Sequence, residues 1–179
     1  MRICPSISCG VLAAVVAAAA FTAPAPARAA DPVKAPVAAA FGSACEDRVI
    51  EAIDGASNEI RMAAYSLTRR NITSALTRAA DRGVRIMLKY DAKQAEYEPM
   101  RAALERLHGR KIRKAAITMT DEHASMHHKF LAIDQRWVVT GSYNYTSPAS
   151  ELNYENVVVI DSPAVARDFI REFDAIKSR

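Results

Sequence analysis

"MHHKFLAIDQRWVVTGSYN", residues 126–144, decides how this chain folds. "HHKFLAID" (127–134) and "WVVTGSYN" (137–144) read as two strands, in which alternate side chains share a face. The break at Asp134-Gln135-Arg136 is short enough for a tight turn, so the two runs read as a hairpin. Strand parity then places His127 and Lys129 on one face and His128 and Phe130 on the other. In the second strand Ser142 and Asn144 share a face. Only four histidines occur in the chain, and two of them stand here.

Outward from the hairpin, strands alternate with amphipathic helices. On the N-terminal side "ADPVKAPVAAA" (30–40) is a Pro/Ala leader ending in a possible short strand. "SACEDRVIEAIDGA" has helical apolar spacing, with Ser43 and Glu46 in a capping-box pattern. "NEIRMAAYSL" reads as a buried strand and "NITSALTRAADRG" as a helix capped by Asn71 and followed by Gly83. "VRIMLKYD" is a strand, residues 96–108 a helix closed by Gly109, and "RKIRKAAI" a short strand. On the C-terminal side "ENVVVI" is a strand, opened by Glu155, and "SPAVARDFIREFDAIKS" a helix with Pro163 in its first turn. This order predicts an α/β fold, a mixed and mostly central sheet flanked by helices on both faces. With 179 residues the chain suits one domain with a real core.

Residues 1–29 read as an export signal, leaving 30–179 as the single mature domain. Arg2 supplies the positive start, Val11–Phe21 the apolar stretch, and "APARAA" the small-residue processing site. Eleven apolar residues fall short of the roughly 20 a membrane span needs. The expected location is periplasmic or secreted. The formal charge of +4 drops to +2 when Arg2 and Arg28 leave, so a grip on a polyanion has to come from local clusters. "RKIRK" (Arg110–Lys114), with Lys89 and Lys93, is a candidate for such a groove; the alternative is a solvated edge strand. Cys45 is the one cysteine of the mature chain, which excludes an internal disulfide framework and suggests a buried thiol.

The residue types around the hairpin suit phosphoryl transfer. An imidazole near its ordinary pKa works as nucleophile or acid at neutral pH. Lys129 and the Asn144 amide offer donors to non-bridging phosphate oxygens, and a carboxylate such as Glu155 can fix an imidazole's tautomer. No Gly-rich nucleotide loop is present, which favours a phosphodiester substrate over ATP. A rival is metal chemistry at His123 and His127, four apart with Asp121 and Glu122 nearby. It weakens because residues four apart on a strand are about 13 Å apart.

Taken as a pattern, His127-x-Lys129, four residues, Asp134, six residues, then Gly141-Ser142-x-Asn144 resembles the signature of the phospholipase D superfamily. "NEIRMAAYSLT", "DRGVRIMLKYD" and "NYENVVVIDSPAVARDF" extend the likeness to the small exported bacterial endonucleases of that superfamily, over about residues 37–176. The resemblance implies a phosphodiesterase that needs no metal or other cofactor. It implies His127 as the nucleophile forming a phosphohistidine, Lys129 and Asn144 as phosphate binders, Glu155 as the carboxylate orienting the histidine, and Ser142 as a supporting hydroxyl. Asp134 and Gly141 belong to the signature with structural roles, and His128 occupies a variable position. Larger relatives carry two motif copies and this chain one, which implies a homodimer whose twofold axis brings two His127 sets into one site. Nucleic acid is the expected substrate, with a lipid phosphodiester or a catalytically silent nucleic-acid-binding protein as alternatives. Two departures stand out: "DAKQAEYEPM" (Asp91–Met100) lacks the family's glycines, and no aromatic tail follows the last helix.

Overall fold

Short, mostly apolar runs become strands here, and residues with apolar positions three or four apart become helices. The computed structural model describes residues 31–109 and 111–179; the predicted export signal and Arg110 lie outside the described residues. Strands β1 (Val37–Phe41), β2 (Glu59–Ala64), β3 (Arg85–Asp91), β4 (Ile112–Ile117), β5 (Lys129–Ile133), β6 (Trp137–Gly141) and β7 (Asn156–Asp161) form one sheet. Their order is β1-β7-β6-β5-β2-β3-β4. Parallel pairing joins β2 to β3 and β3 to β4; every other pair is antiparallel. The sheet is mixed, as the alternation predicts.

Helices α1 (Ala44–Asp54) and α2 (Arg70–Asp81) cover one face. There Val49, Ile53, Ile72 and Leu76 pack onto Ile60, Met62, Leu88, Leu131 and Val139 in one continuous core. Each such fully buried side chain contributes about 1.5–3 kcal/mol relative to exposure, so this layer carries most of the stability. The opposite face holds a smaller cluster in which Phe130, Met126 and Ile117 meet Phe173 of α5 (Pro163–Ala175). Helix α3 (Glu98–Arg106) sits beyond a 3₁₀ turn at Gln94–Glu96.

The hairpin closes through two left-handed residues, Asp134 (φ 52°) and Gln135 (φ 56°), with the Arg136 N–H donating to the Ile133 carbonyl at 3.0 Å. This two-residue turn matches the right-handed twist of the strands it joins. Asp134 also accepts the N–H groups of Ser57, Asn58 and Glu59, each at 2.8 Å, and so clamps the entry to β2.

Four local readings need correction. Ser43 makes no side-chain cap; Glu46, buried, instead takes Arg69 at 2.8 Å and Asn71 at 2.7 Å. Asn71 therefore lies inside α2 rather than capping it, and the Tyr145 carbonyl accepts the N–H groups of Thr68 and Arg69 ahead of the helix. The helix expected over 96–108 starts only at Glu98, because Tyr97 is extended with ψ 135°. Strand β6 stops at Gly141 rather than Asn144. Beyond it Tyr143 and Tyr145 turn into the core, and a short helix, α4 (Ser147–Glu151), follows with Thr146 accepting the Ala149 N–H.

Candidate active site

Strand register gathers the hairpin's polar residues at one end of the sheet. Ala64 pairs with Lys129, Phe130 with Thr140, and Gly141 with Val157. The carboxyl end of β2, the start of β5, the exit of β6 and the entry of β7 are thus neighbours. The Tyr65 N–H donates to the His128 carbonyl at 2.9 Å and extends the β2–β5 pairing by one residue.

Parity holds through the two histidines. The His127 imidazole lies 4.6 Å, centroid to centroid, from the Tyr65 ring, and the Lys129 ammonium sits 5.1 Å above the same ring. His128 faces the other way, edge-on to Phe130 at 5.4 Å and 3.1 Å from the Glu172 carboxylate. Burial pushes the His127 pKa below its ordinary value, and the Lys129 charge pushes the same way against the pull of Asp91. Within one copy this favours the neutral imidazole, the form with a free lone pair. Lys129, half-buried, donates to the His127 carbonyl at 2.8 Å. Its pKa is also lowered by burial, while the Glu155 charge acts to raise it.

Glu155 does not reach His127 within this chain. Its carboxylate accepts the Ser142 hydroxyl at 2.5 Å and the Asn153 amide at 3.1 Å. Ser142 Oγ in turn accepts the Asn156 N–H at 3.1 Å. The reason is strand order: β6 lies between β5 and β7, which puts about 10 Å across the sheet between their backbones. The expected pairing of this carboxylate with the motif histidine is thus not made inside one copy.

Asn144 stands between two anchored tyrosines. Tyr143 is buried and shares a hydrogen bond with Ser150 Oγ at 2.7 Å, and Tyr145 is buried on the other side. The Asn144 Oδ1 is buried and has no hydrogen-bond partner among the described residues. Such groups are rare in folded chains, and the amide can present either end. Gly141 leaves no room for a side chain: a Cβ there would come within 2.1 Å of the Asn156 carbonyl oxygen. Asp134, at the far end of β5, is about 17 Å along the strand from Lys129 and cannot touch a group bound there.

Three further residues shape the site without belonging to the motif. Tyr65 forms the floor under His127 and Lys129. Asp91, 2% exposed, accepts the Met126 N–H at 2.9 Å and steadies the approach to His127. Gln94 donates to the Tyr65 hydroxyl at 2.9 Å. The one clue in the sequence was a carboxylate, Asp91, closing a strand.

The suggested basic groove is not assembled. Lys89 donates to the Phe173 and Ile176 carbonyls, and Lys114 to the Leu104 carbonyl. Arg113 pairs with Met87, toward the other end of the sheet from Lys129. Arg113 and Lys114 belong to the edge strand β4, and Lys89 to the neighbouring β3 with its charge turned to the end of α5. Lys93 donates to the Glu122 carbonyl at 2.5 Å. His123 is exposed in a loop, and no group of three or more His, Cys, Asp or Glu able to hold a metal occurs among the described residues. Cys45 is buried, and burial raises its thiol pKa, with the Glu155 charge adding to the effect.

The sequence matches the family described as cardiolipin synthase, PLD-like domain, over residues 49–177. A phospholipase D from Rickettsia bellii is 30% identical over 137 residues, covering 76% of this chain and 66% of that protein. The mitochondrial cardiolipin hydrolase of Homo sapiens is 27% identical over 147 residues, covering 81% of this chain and 56% of that protein. The chain thus spans between about half and two thirds of the length of these relatives. Among solved structures, the phospholipase D family member Nuc from Salmonella typhimurium superposes with a TM-score of 0.74 at 29% identity, over 80% of this chain and 94% of Nuc. A match across residues 49–177, with the same mixed sheet, means that this chain belongs to the phospholipase D superfamily.

Proposed function

We propose that the chain is an exported, metal-independent phosphodiesterase that cuts nucleic-acid backbones at a site shared by two copies. One observation carries the reading: His127, neutral, and Lys129 stand together on Tyr65, while the carboxylate expected to orient the imidazole is held two strands away. The constellation supplies a nucleophile and an anion holder and lacks its orienting group and its acid. A second copy related by a twofold axis supplies both, its Glu155 to orient and its His127 to protonate.

The steps follow from those roles. The lone pair of one His127 attacks phosphorus, Lys129 and the Asn144 amide hold the non-bridging oxygens, and a phosphorus–nitrogen bond forms. The bond to the departing oxygen breaks as the opposite His127, held as imidazolium by the carboxylate that it faces, gives it a proton. That second imidazole, now neutral, takes a proton from water, whose oxygen displaces the first imidazole and releases the phosphomonoester.

Nucleic acid is favoured because the similarity runs over 94% of Nuc, against 66% and 56% of the relatives named for phospholipid chemistry. Those same names support the second reading, a lipid phosphodiesterase. With no base-reading element among the described residues, cutting should have little sequence specificity. Purified mature protein is to be assayed on plasmid DNA, RNA and phospholipid vesicles, each with and without a chelator. Chelator-resistant cleavage of nucleic acid is expected. Cleavage of vesicles alone would install the lipid reading, and loss of all activity on chelation would remove the metal-free mechanism.

A further inference from the structure

Next to His127, across the Tyr65 ring, lies an open cleft of about 480 Å³ at the carboxyl ends of β2 and β3. In sheets with parallel strands this is the customary ligand edge. Its walls include Tyr65, Gln94, Glu96, Tyr97, Glu122 and His123. The segment 91–97, which departs from the family pattern, builds one whole side of it.

The lining selects against phosphate. Glu96 and Glu122 are exposed, and the nearby Lys93 is already committed to a backbone carbonyl. A polyanion's phosphates avoid such a rim, so whatever part of a nucleic acid enters is its uncharged part. The lining suits a base. Tyr97 leaves 64% of its surface in solvent, so its ring has a face free to stack. Its backbone, in contrast, is fixed, accepting the N–H groups of Met100 and Arg101. Gln94 spends its NH₂ on the Tyr65 hydroxyl, which anchors the amide beside the aromatic wall.

We infer that this cleft is a nucleobase pocket: the base flanking the scissile phosphate stacks on Tyr97 while its phosphate lies at His127 and Lys129. The inference rests on the nucleic-acid reading above. A base can enter only when it is unpaired and swung out of its stack, which costs energy in a duplex. The enzyme therefore prefers single-stranded substrate, through shape and stacking rather than through base identity.

The test compares wild type, Tyr97→Ala and Tyr97→Phe on three DNA oligonucleotides of one length: single-stranded, duplex, and single-stranded with a run of abasic residues. Wild type is expected to cut the base-bearing single strand fastest. Tyr97→Ala should lose about tenfold there, Tyr97→Phe should retain the rate, and the penalties for removing ring and bases should not add. Circular dichroism confirms that each variant is folded. If wild type cuts the base-bearing and abasic strands equally, or Tyr97→Ala slows both alike, the pocket does not read bases. A wild type that cuts no nucleic acid overturns both readings, and that arm separates the two failures. A Tyr97 effect confined to choline-headgroup vesicles assigns the cleft to a lipid cation and likewise overturns the base pocket.

Discussion

The Ser142 hydroxyl donates to the Glu155 carboxylate at 2.5 Å, and the charge so placed acts to raise the pKa of Lys129 against the lowering effect of burial. Removing the charge and removing the hydroxyl should therefore differ. In Glu155→Gln the ammonium loses its favourable partner and deprotonates at lower pH. In Ser142→Ala the carboxylate keeps its charge, and the ammonium titrates where it did even if the rate falls. NMR titration of the Lys129 side chain in both variants decides this; equal displacement in the two would show that the Glu155 charge does not govern Lys129.

In the proposed mechanism the acid limb of kcat/KM belongs to the His127 that attacks. Its pKa is lowered by burial first and by the Lys129 charge second, so the nucleophilic, neutral form persists below the ordinary histidine value of about 6.5. Lys129→Gln removes one of those two causes and should shift the acid limb to higher pH, in addition to slowing the reaction through the lost phosphate contact. The same depression links to stability. A folded-state pKa below the unfolded one means the unfolded chain takes up the proton first, so this contribution is complete above about 6.5 and is lost as pH falls toward the folded value. NMR titration of the imidazole in wild type and Lys129→Gln measures the shift directly. An unchanged or lower imidazole pKa in the variant would exclude the Lys129 contribution.

Much of the site was legible because it rests on strand parity, a local property. His127 and His128 part company in the structure as their alternation requires, one toward Tyr65 and the other toward Phe130. What escaped is set by pairing between distant segments. Tyr65 lies under His127 only because Ala64 pairs with Lys129, a register that no window of sequence contains. Glu46 fits a capping box in isolation, yet its carboxylate is drawn to Arg69 and Asn71 once α1 and α2 pack together. Lys89 and Lys114 look like groove cations, and their long stems instead carry the charge to free helix carbonyls.

Gly141→Ala tests the closest backbone approach at the site. The added methyl would fall 2.1 Å from the Asn156 carbonyl oxygen, with backbone rather than a movable side chain on the other side. Relief requires β6 and β7 to separate where Ser142 meets Glu155. A cost of about 2–4 kcal/mol is expected, at the upper end for overpacking, or about 4–16 °C in melting temperature for a chain of this size. Calorimetry measures it, and a shift under 2 °C would mean that the two strands yield without strain.

Asp134→Ala separates motif membership from catalysis. Three N–H groups at the start of β2 lose their shared acceptor, which should cost about 2–4 kcal/mol given the strength of hydrogen bonds to a charged group. Because the turn lies at the far end of β5 from Lys129, protein that remains folded should keep its kcat and its pH profile. Urea denaturation and kinetics at 15 °C on the same preparation make the comparison. A loss of kcat without loss of stability would place Asp134 in the reaction instead.

The proposal of a shared site makes a quantitative prediction about mixed subunits. If each site uses the His127 of both copies, a dimer containing one His127→Ala chain is inert. Co-expressing differently tagged wild-type and His127→Ala chains in equal amounts leaves about a quarter of dimers wholly wild type under random pairing. Activity per total chain should then be about one quarter of the pure wild-type value, and it should follow the square of the wild-type fraction as the ratio varies. Sites complete within one chain would give one half and a straight line. Affinity-purified hybrids carrying both tags sharpen the contrast: no turnover is expected from them, whereas half-activity would assign each copy its own complete site and leave the position of Glu155, two strands from His127, without a partner to orient.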